Sequence, residues 1–139
     1  MPGVHNRVEA IPVRPRTVSL ERLIHDVKCR NEITEMGSLF EGIPSELSEE
    51  LFDTISSTDD VNIERIVSRG HASPEGFWYD QENNEFVLVV KGSAGLKLEN
   101  EDDIVVLKAG DYFNIEAHVK HRVEWTDSTC ETVWLAVHY

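Results

Sequence analysis

The sequence predicts an all-β fold, an antiparallel barrel or sandwich, over residues 61–139. From Val61 onward, short β-branched and aromatic runs alternate with turn residues at intervals of about ten. Eight such runs fit into this part of the chain and leave no room for helices between them. The predicted strands are residues 61–68, 77–81, 85–91, 94–99, 104–107, 112–115, 121–126 and 132–138.

Turn chemistry supports these divisions. Turn-forming residues stand at the predicted joints: Asn83-Asn84, Lys91-Gly92, Asn100 to Asp103, Ala109-Gly110-Asp111 and Asp127-Ser128. A chain of 139 residues is the length of one domain, and its 40% apolar content is enough to bury a core. We therefore expect one compact barrel with an N-terminal extension.

Residues 1–36 are predicted to form an arm followed by a short helix. Pro2, Pro12 and Pro15 favour an extended arm without a core of its own. Ser19 is the predicted N-cap for a helix-spaced apolar stripe that runs from Leu20 to Val27.

Residues 37–60 are predicted to contain a second helix that packs on the barrel. Pro44 and Ser45 would open it, acidic residues crowd its first turns, and apolar residues fall on one helical face over residues 42–57. These apolar residues are Leu47, Leu51, Phe52 and Ile55.

The net charge and the cysteines exclude several classes of function. With 13 basic against 26 acidic residues the formal charge is −13, which repels nucleic-acid phosphates and anionic lipids. Cys29 and Cys130 form neither a disulfide framework nor a zinc motif. No apolar run approaches a membrane span of about 20 residues, and the N-terminus lacks a secretory pattern. We expect a cytoplasmic protein with no nucleic-acid or membrane partner.

Two stretches resemble the motifs of the cupin superfamily. Glu85 is followed by six residues and Gly92, as in the second half of the first cupin motif. Gly110 is followed five residues later by Glu116-Ala117-His118 and then by His121, where the second motif has a Pro-x-Gly turn and a His. The chain is therefore similar to small single-domain bacterial cupins of unassigned role, which implies a jelly-roll (double-stranded β-helix) barrel.

The resemblance implies a divalent metal ion inside the barrel, held in typical cupins by a His-x-His pair, a Glu and a further His. This chain keeps Glu85 and His121. The His pair maps onto Tyr79 and Gln81 in one register or onto Trp78 and Asp80 in the other, and alternation along a strand allows only one pair to point inward.

The residues expected to bind a ligand are Tyr79, Gln81, Glu85 and His121, and the expected metal ligands are Glu85, His121, Gln81 and His118. The ion would be Fe, Mn, Ni or Zn. If the protein is an enzyme, the resemblance implies an oxygenase or isomerase that acts on a small polar molecule. The alternatives are a ligand-binding barrel without stable metal and a chiefly structural dimer. In each case we expect a homodimer.

Overall fold

The computed structural model describes residues 36–139, and Gly37–Tyr139 form one compact unit. Eight strands build it. They are β1 (Leu51–Ser57), β2 (Asn62–Ser68), β3 (Glu85–Lys91), β4 (Ser93–Leu98), β5 (Ile104–Lys108), β6 (Tyr112–Ile115), β7 (His121–Thr126) and β8 (Thr132–His138). The described part contains no helix, and thus none that could cross a membrane.

The strands form two antiparallel sheets. One has five strands in the order β1-β2-β8-β3-β6, and the other has three in the order β5-β4-β7. The consecutive strands β3 and β4 lie in different sheets, as do β7 and β8, so the chain winds between the sheets as in a jelly roll. The predicted all-β jelly-roll class is confirmed.

The core lies between the sheets and follows from alternation along the strands. In β3, Glu85, Val87 and Val89 are buried, and the residues between them are partly exposed. Val89 and Ala136 are fully buried in the core cluster, and Trp134 of β8 joins them. Antiparallel pairing places cross-strand partners on the same face, so one inward row of the five-stranded sheet reads Asn62, His138, Glu85, Ile115.

The turn between β3 and β4 requires glycine. Gly92 has φ +81°, and a Cβ there would lie 2.7 Å from the carbonyl oxygen of Glu131 and 2.8 Å from Cα of Thr132. Backbone atoms cannot move aside, so a side chain would disrupt this crossing between the sheets. The positive φ and the close backbone atoms thus explain why the first motif has a glycine at this position.

The predicted helix over residues 42–57 is wrong. Leu51–Ser57 form strand β1, which pairs with β2. The spacing of Leu51 and Ile55 fits a helical face, but the ladder hydrogen bonds offered by the edge of β2 decide the conformation. The sheet therefore begins at Leu51 and not at residue 61. Part of the segment predicted to flank the barrel, residues 37–60, thus belongs to the sheet itself.

The predicted strand over residues 77–81 is also wrong in extent. Only Tyr79 forms a ladder contact, a single antiparallel bridge with His121. The other predicted strands correspond to β2 through β8, each within a residue at either end. The arm and first helix predicted within residues 1–36 lie outside the described residues, except for Met36.

Candidate functional site

A cavity of about 200 Å³ opens between the two sheets. Its polar lining consists of Glu50, Glu64, Tyr79, Gln81, Glu85, His121 and His138. Its apolar lining consists of Phe52, Ile66, Val87, Leu96, Ile115, Val123 and Trp134. Among the described residues, no Lys or Arg lines this cavity.

Glu85 and His121 form a buried pair inside the cavity. Glu85 begins β3 and His121 begins β7, so the pair joins the two sheets. His121 Nε2 lies 3.2 Å from Glu85 Oε2, and the two side chains are 5% and 9% exposed. No donor within residues 36–139 is aligned for a hydrogen bond with Glu85 Oε2. The pair is thus a close charge contact, and Glu85 Oε2 can still accept a hydrogen bond or bind an ion.

The second ring nitrogen fixes the orientation of His121. Nδ1 lies 2.9 Å from the carbonyl oxygen of Val119, which can only accept, so Nδ1 carries a proton. Nε2 is therefore the atom that faces Glu85. Burial lowers the pKa of His121, but the side-chain contact with Glu85, the carbonyl of Val119 and the charge of Glu85 outweigh it, and the pKa is raised above 6.5.

The structure brings Tyr79 and Gln81 to this pair. The backbone bridge between Tyr79 and His121 places both side chains on the inner face, and Gln81 lines the same cavity two residues further on. Of the two registers that the sequence allowed, this is the one with Tyr79 and Gln81 inward. Gln81 Oε1 is buried, and no donor in the described part of the chain reaches it.

Tyr79 is held as a neutral phenol. Its ring stacks on the imidazole of His121, with centroids 5.4 Å apart. Burial, together with the charges of Glu50 and Glu85, raises its pKa above 10. At neutral pH Tyr79 therefore offers a hydrogen-bond donor and not an anionic ligand.

His118 does not join the site. It lies in the turn before β7, its side chain is 68% exposed, and its Nδ1 is 3.3 Å from Asp80 Oδ1. Trp78 also points away from the cavity lining and lies beside the guanidinium of Arg122, 5.7 Å from the ring centroid. The expected metal ligands are thus brought together as Glu85, His121 and Gln81, without His118.

A second imidazole–carboxylate pair, which the sequence reasoning missed, lines the same cavity. His138 Nε2 of β8 lies 3.4 Å from Glu64 Oε2 of β2. His138 is also the ladder partner of Glu85, so the second pair lies beside Glu85 on the inner face of the five-stranded sheet. Strand alternation could have indicated this, because Glu64 shares the parity of Ile66 and Ser68, and His138 shares that of Trp134 and Ala136.

Glu50, which the prediction placed in a helix, also lines the cavity. Its Oε1 accepts a hydrogen bond of 2.6 Å from the hydroxyl of Ser68, which is fully buried. Trp134 Nε1 in turn donates to Ser68 Oγ at 3.3 Å. This relay fixes the carboxylate just before β1.

The donor set fits a divalent ion in part. Two atoms bound side by side to one ion at about 2.1 Å lie about 3 Å apart, which matches the separation of Glu85 Oε2 and His121 Nε2. The amide oxygen of Gln81, a weaker type of donor, is buried in the lining of the same cavity without a hydrogen-bond partner among the described residues. Within residues 36–139, however, no three His, Cys, Asp or Glu side chains converge on one point. The fit is that of a low-affinity site.

Comparisons with known proteins agree with the fold. The family model described as "Cupin domain" matches residues 66–138. No curated protein matches the chain.

Two solved structures show the range of similarity. A protein of Ralstonia eutropha JMP134, named provisionally as a mannose-6-phosphate isomerase, is 45% identical with a TM-score of 0.74, over 76% of this chain and 97% of that one. An RmlC-like cupin of Methanocaldococcus jannaschii with a double-stranded β-helix fold is 18% identical with a TM-score of 0.58, over 77% and 91%.

A third solved structure is that of FeII HppE. It is 16% identical with a TM-score of 0.57, over 70% of this chain and 54% of that one. At this identity the likeness shows the shared fold.

Proposed function

The chain belongs to the cupin family, and from this premise we propose that it binds a divalent metal ion in the barrel cavity through Glu85 and His121, with Gln81 as a third donor. One observation carries the proposal. Two strong ligand atoms, Glu85 Oε2 and His121 Nε2, are buried and 3.2 Å apart, and neither Glu85 Oε2 nor Gln81 Oε1 has an aligned hydrogen-bond donor among the described residues.

Buried polar atoms without partners cost free energy, on the order of 1–3 kcal/mol each. An ion between Glu85, His121 and Gln81 would satisfy both orphaned oxygens. The protonated Nδ1 of His121 supports this role, because a ring whose Nδ1–H is bound to a carbonyl presents Nε2 for coordination.

The donor types narrow the identity of the ion. The donors are a carboxylate, an imidazole and an amide oxygen, and no thiolate lines the cavity in the described part of the chain. Among Fe, Mn, Ni and Zn, this set favours Mn²⁺ or Fe²⁺. Bound there, such an ion would supply Lewis-acid or redox chemistry to a small polar molecule. Tyr79 would orient that molecule as a hydrogen-bond donor.

A ligand-binding barrel without stable metal is the second candidate. It is favoured by the replacement of the usual His pair by Tyr79 and Gln81, because a phenol and an amide are weak metal ligands and good hydrogen-bonding groups. In this case the Glu85–His121 pair would itself hold the ligand.

Metal analysis by mass spectrometry distinguishes the two candidates. Because the site is of low affinity, tag-free protein purified without chelator and then dialysed against Mn²⁺, Fe²⁺, Ni²⁺ or Zn²⁺ should take up about one ion per chain, and Glu85→Ala and His121→Ala should each take up none. His118→Ala is the matched control, because this exposed imidazole lies outside the cavity. A metal-free parent that also takes up none of these ions on dialysis would leave the ligand-binding barrel.

A further inference from the structure

We propose that the cavity also binds a small organic ammonium ion, with Glu64 and Glu50 as its carboxylate partners. This inference extends the proposed function, since it concerns the same cavity. It does not depend on a bound metal, and neither Glu64 nor Glu50 is a proposed metal ligand.

The charge of the lining is the first argument. Three carboxylates line the cavity, those of Glu50, Glu64 and Glu85, against the two imidazoles of His121 and His138. Even with both imidazoles protonated the lining keeps a net charge of −1, and with both neutral it carries −3. Since no Lys or Arg among the described residues lines the cavity, it attracts cations and repels anions.

The burial of an unpartnered acceptor is the second argument. Glu85 is 7% exposed, and its Oε2 has no aligned donor among the described residues. Gln81 Oε1 is likewise buried and has no hydrogen-bond donor among the described residues. A cavity with unused acceptors is suited to a ligand that donates hydrogen bonds, and an ammonium group donates three.

Pre-organisation of Glu50 is the third argument. The relay from the Trp134 indole through the buried Ser68 hydroxyl holds this carboxylate in place before a ligand arrives. A fixed carboxylate in a partly enclosed site binds an ammonium group by a charge-assisted hydrogen bond, which is about twice as strong as a neutral one.

The apolar and aromatic lining indicates an ammonium group on an organic body. The aromatic side chains of Trp134, Tyr79 and Phe52 line the cavity, and an aromatic ring attracts a cation that lies over its face. A volume of about 200 Å³ is smaller than that of sites for drug-sized molecules, which begin near 300 Å³. The ligand is therefore a small amine, and a sugar phosphate would be repelled.

Three matched four-carbon probes, with mannose 6-phosphate as a further anion, test the charge preference. Full-length protein is treated with chelator and checked for absence of metal. It is then titrated with butylammonium, 1-butanol, butanoate and mannose 6-phosphate while the Trp134 indole N–H signal, assigned with Trp134→Phe, is followed by NMR. We expect a saturable shift with butylammonium and none with the two anions at the same concentrations.

Two isosteric variants test the residues. Glu64→Gln and Glu50→Gln should each weaken butylammonium binding about tenfold, because each removes one charge-assisted hydrogen bond. Glu116→Gln, at an exposed residue outside the cavity, is the control. The proposal is overturned if butylammonium does not bind, or if butanoate or mannose 6-phosphate binds as tightly or more tightly. It is also overturned if both variants bind butylammonium within twofold of the parent's affinity.

The two proposals fail separately. Glu64→Gln should keep the metal content of the parent while it loses ammonium affinity. If the parent binds no metal, the charge of the chelator-treated cavity is unchanged, and the expected ammonium binding is unchanged as well.

Discussion

His118 occupies a backbone conformation that a glycine would adopt at lower cost. Its φ is +63°, in the left-handed region, at the position of the glycine in the Pro-x-Gly turn of the second cupin motif. We predict that His118→Gly raises the free energy of unfolding by about 1 kcal/mol in urea denaturation, because it relieves this strain. The lost contact with Asp80 is exposed and contributes little.

His118→Ala keeps a Cβ in the same conformation and should give no gain. A glycine variant less stable than the parent would contradict this account of the turn.

Glu131 makes stability depend on acid pH. The contact with Lys91, its own backbone amide and the contact with Arg69 lower the pKa of this carboxyl from 4.5 to about 2. A lowered pKa means that the contribution is present above about pH 4.5 and is lost as the pH falls toward 2.

We therefore predict that Glu131→Gln melts below the parent at pH 7, and that this gap in Tm closes between pH 4.5 and pH 2. Calorimetry across this range measures it, with Glu116→Gln as the exposed control. A gap that stays constant down to pH 2 would show that the charge of Glu131 is not responsible.

At the site, the sequence allowed part of the residue set to be predicted. Glu85 and His121 followed from motif spacing, and the structure brings them together. His138 and Glu64 carry no motif, and their pairing depends on the register of β8 against β2, which spacing along one strand cannot reveal. Whether any of these side chains binds metal stays a prediction.

At the scale of elements, Gly92 controls the passage from β3 to β4. We predict that Gly92→Ala lowers the free energy of unfolding by about 2–3 kcal/mol, from the positive φ and the collision with Glu131 and Thr132 together. Urea denaturation measures the change.

Gly76→Ala separates the two causes. Gly76 has φ +76° with nothing within 4 Å of an added Cβ, so it should lose about 1 kcal/mol from conformation alone. Equal losses at the two glycines would remove the steric part of the argument.

Strands bounded by turn residues on both sides were predictable, and β1 was not. The bounds of β3, β6, β7 and β8 follow from short β-branched and aromatic runs and from the turns beside them. Residues 51–57 carry apolar residues at a spacing that fits either a helix or a strand. The signal that was missed is the turn Thr58-Asp59-Asp60-Val61, closed by a 2.8 Å hydrogen bond from the amide of Thr58 to the carbonyl of Val61.

Residues 77–81 show the opposite error. Aromatic residues give this segment a high strand propensity, but pairing also needs a partner edge. Both backbone groups of Tyr79 bond His121, and the ladder does not continue. Propensity alone therefore overestimated the strand.

At the scale of the whole molecule, the face of the five-stranded sheet away from the cavity is apolar along β3, and Arg65 of β2, Asp53 of β1 and Asn114 of β6 also lie on it. It carries Phe86 and Leu88 of β3 and Leu135 of β8, and Tyr112 of β6 stacks on Phe86 while its side chain is 64% exposed. We propose that a second copy of the chain packs on this face.

Light scattering coupled to size-exclusion chromatography should give twice the 15.8 kDa of one chain. Tyr112→Asp places a charge on the face at an exposed position and should shift the mass toward the monomer. A parent that elutes as a monomer at all concentrations would exclude this dimer.

We propose that Glu85, His121 and Gln81 hold a metal ion inside the barrel, and a Co²⁺ titration of chelator-treated protein followed by NMR tests this proposal. We expect one Co²⁺ per chain and strongly shifted imidazole signals of His121, lost in His121→Ala and kept in His118→Ala. Absence of shifted signals, or signals that persist in His121→Ala and vanish in His118→Ala, would contradict it.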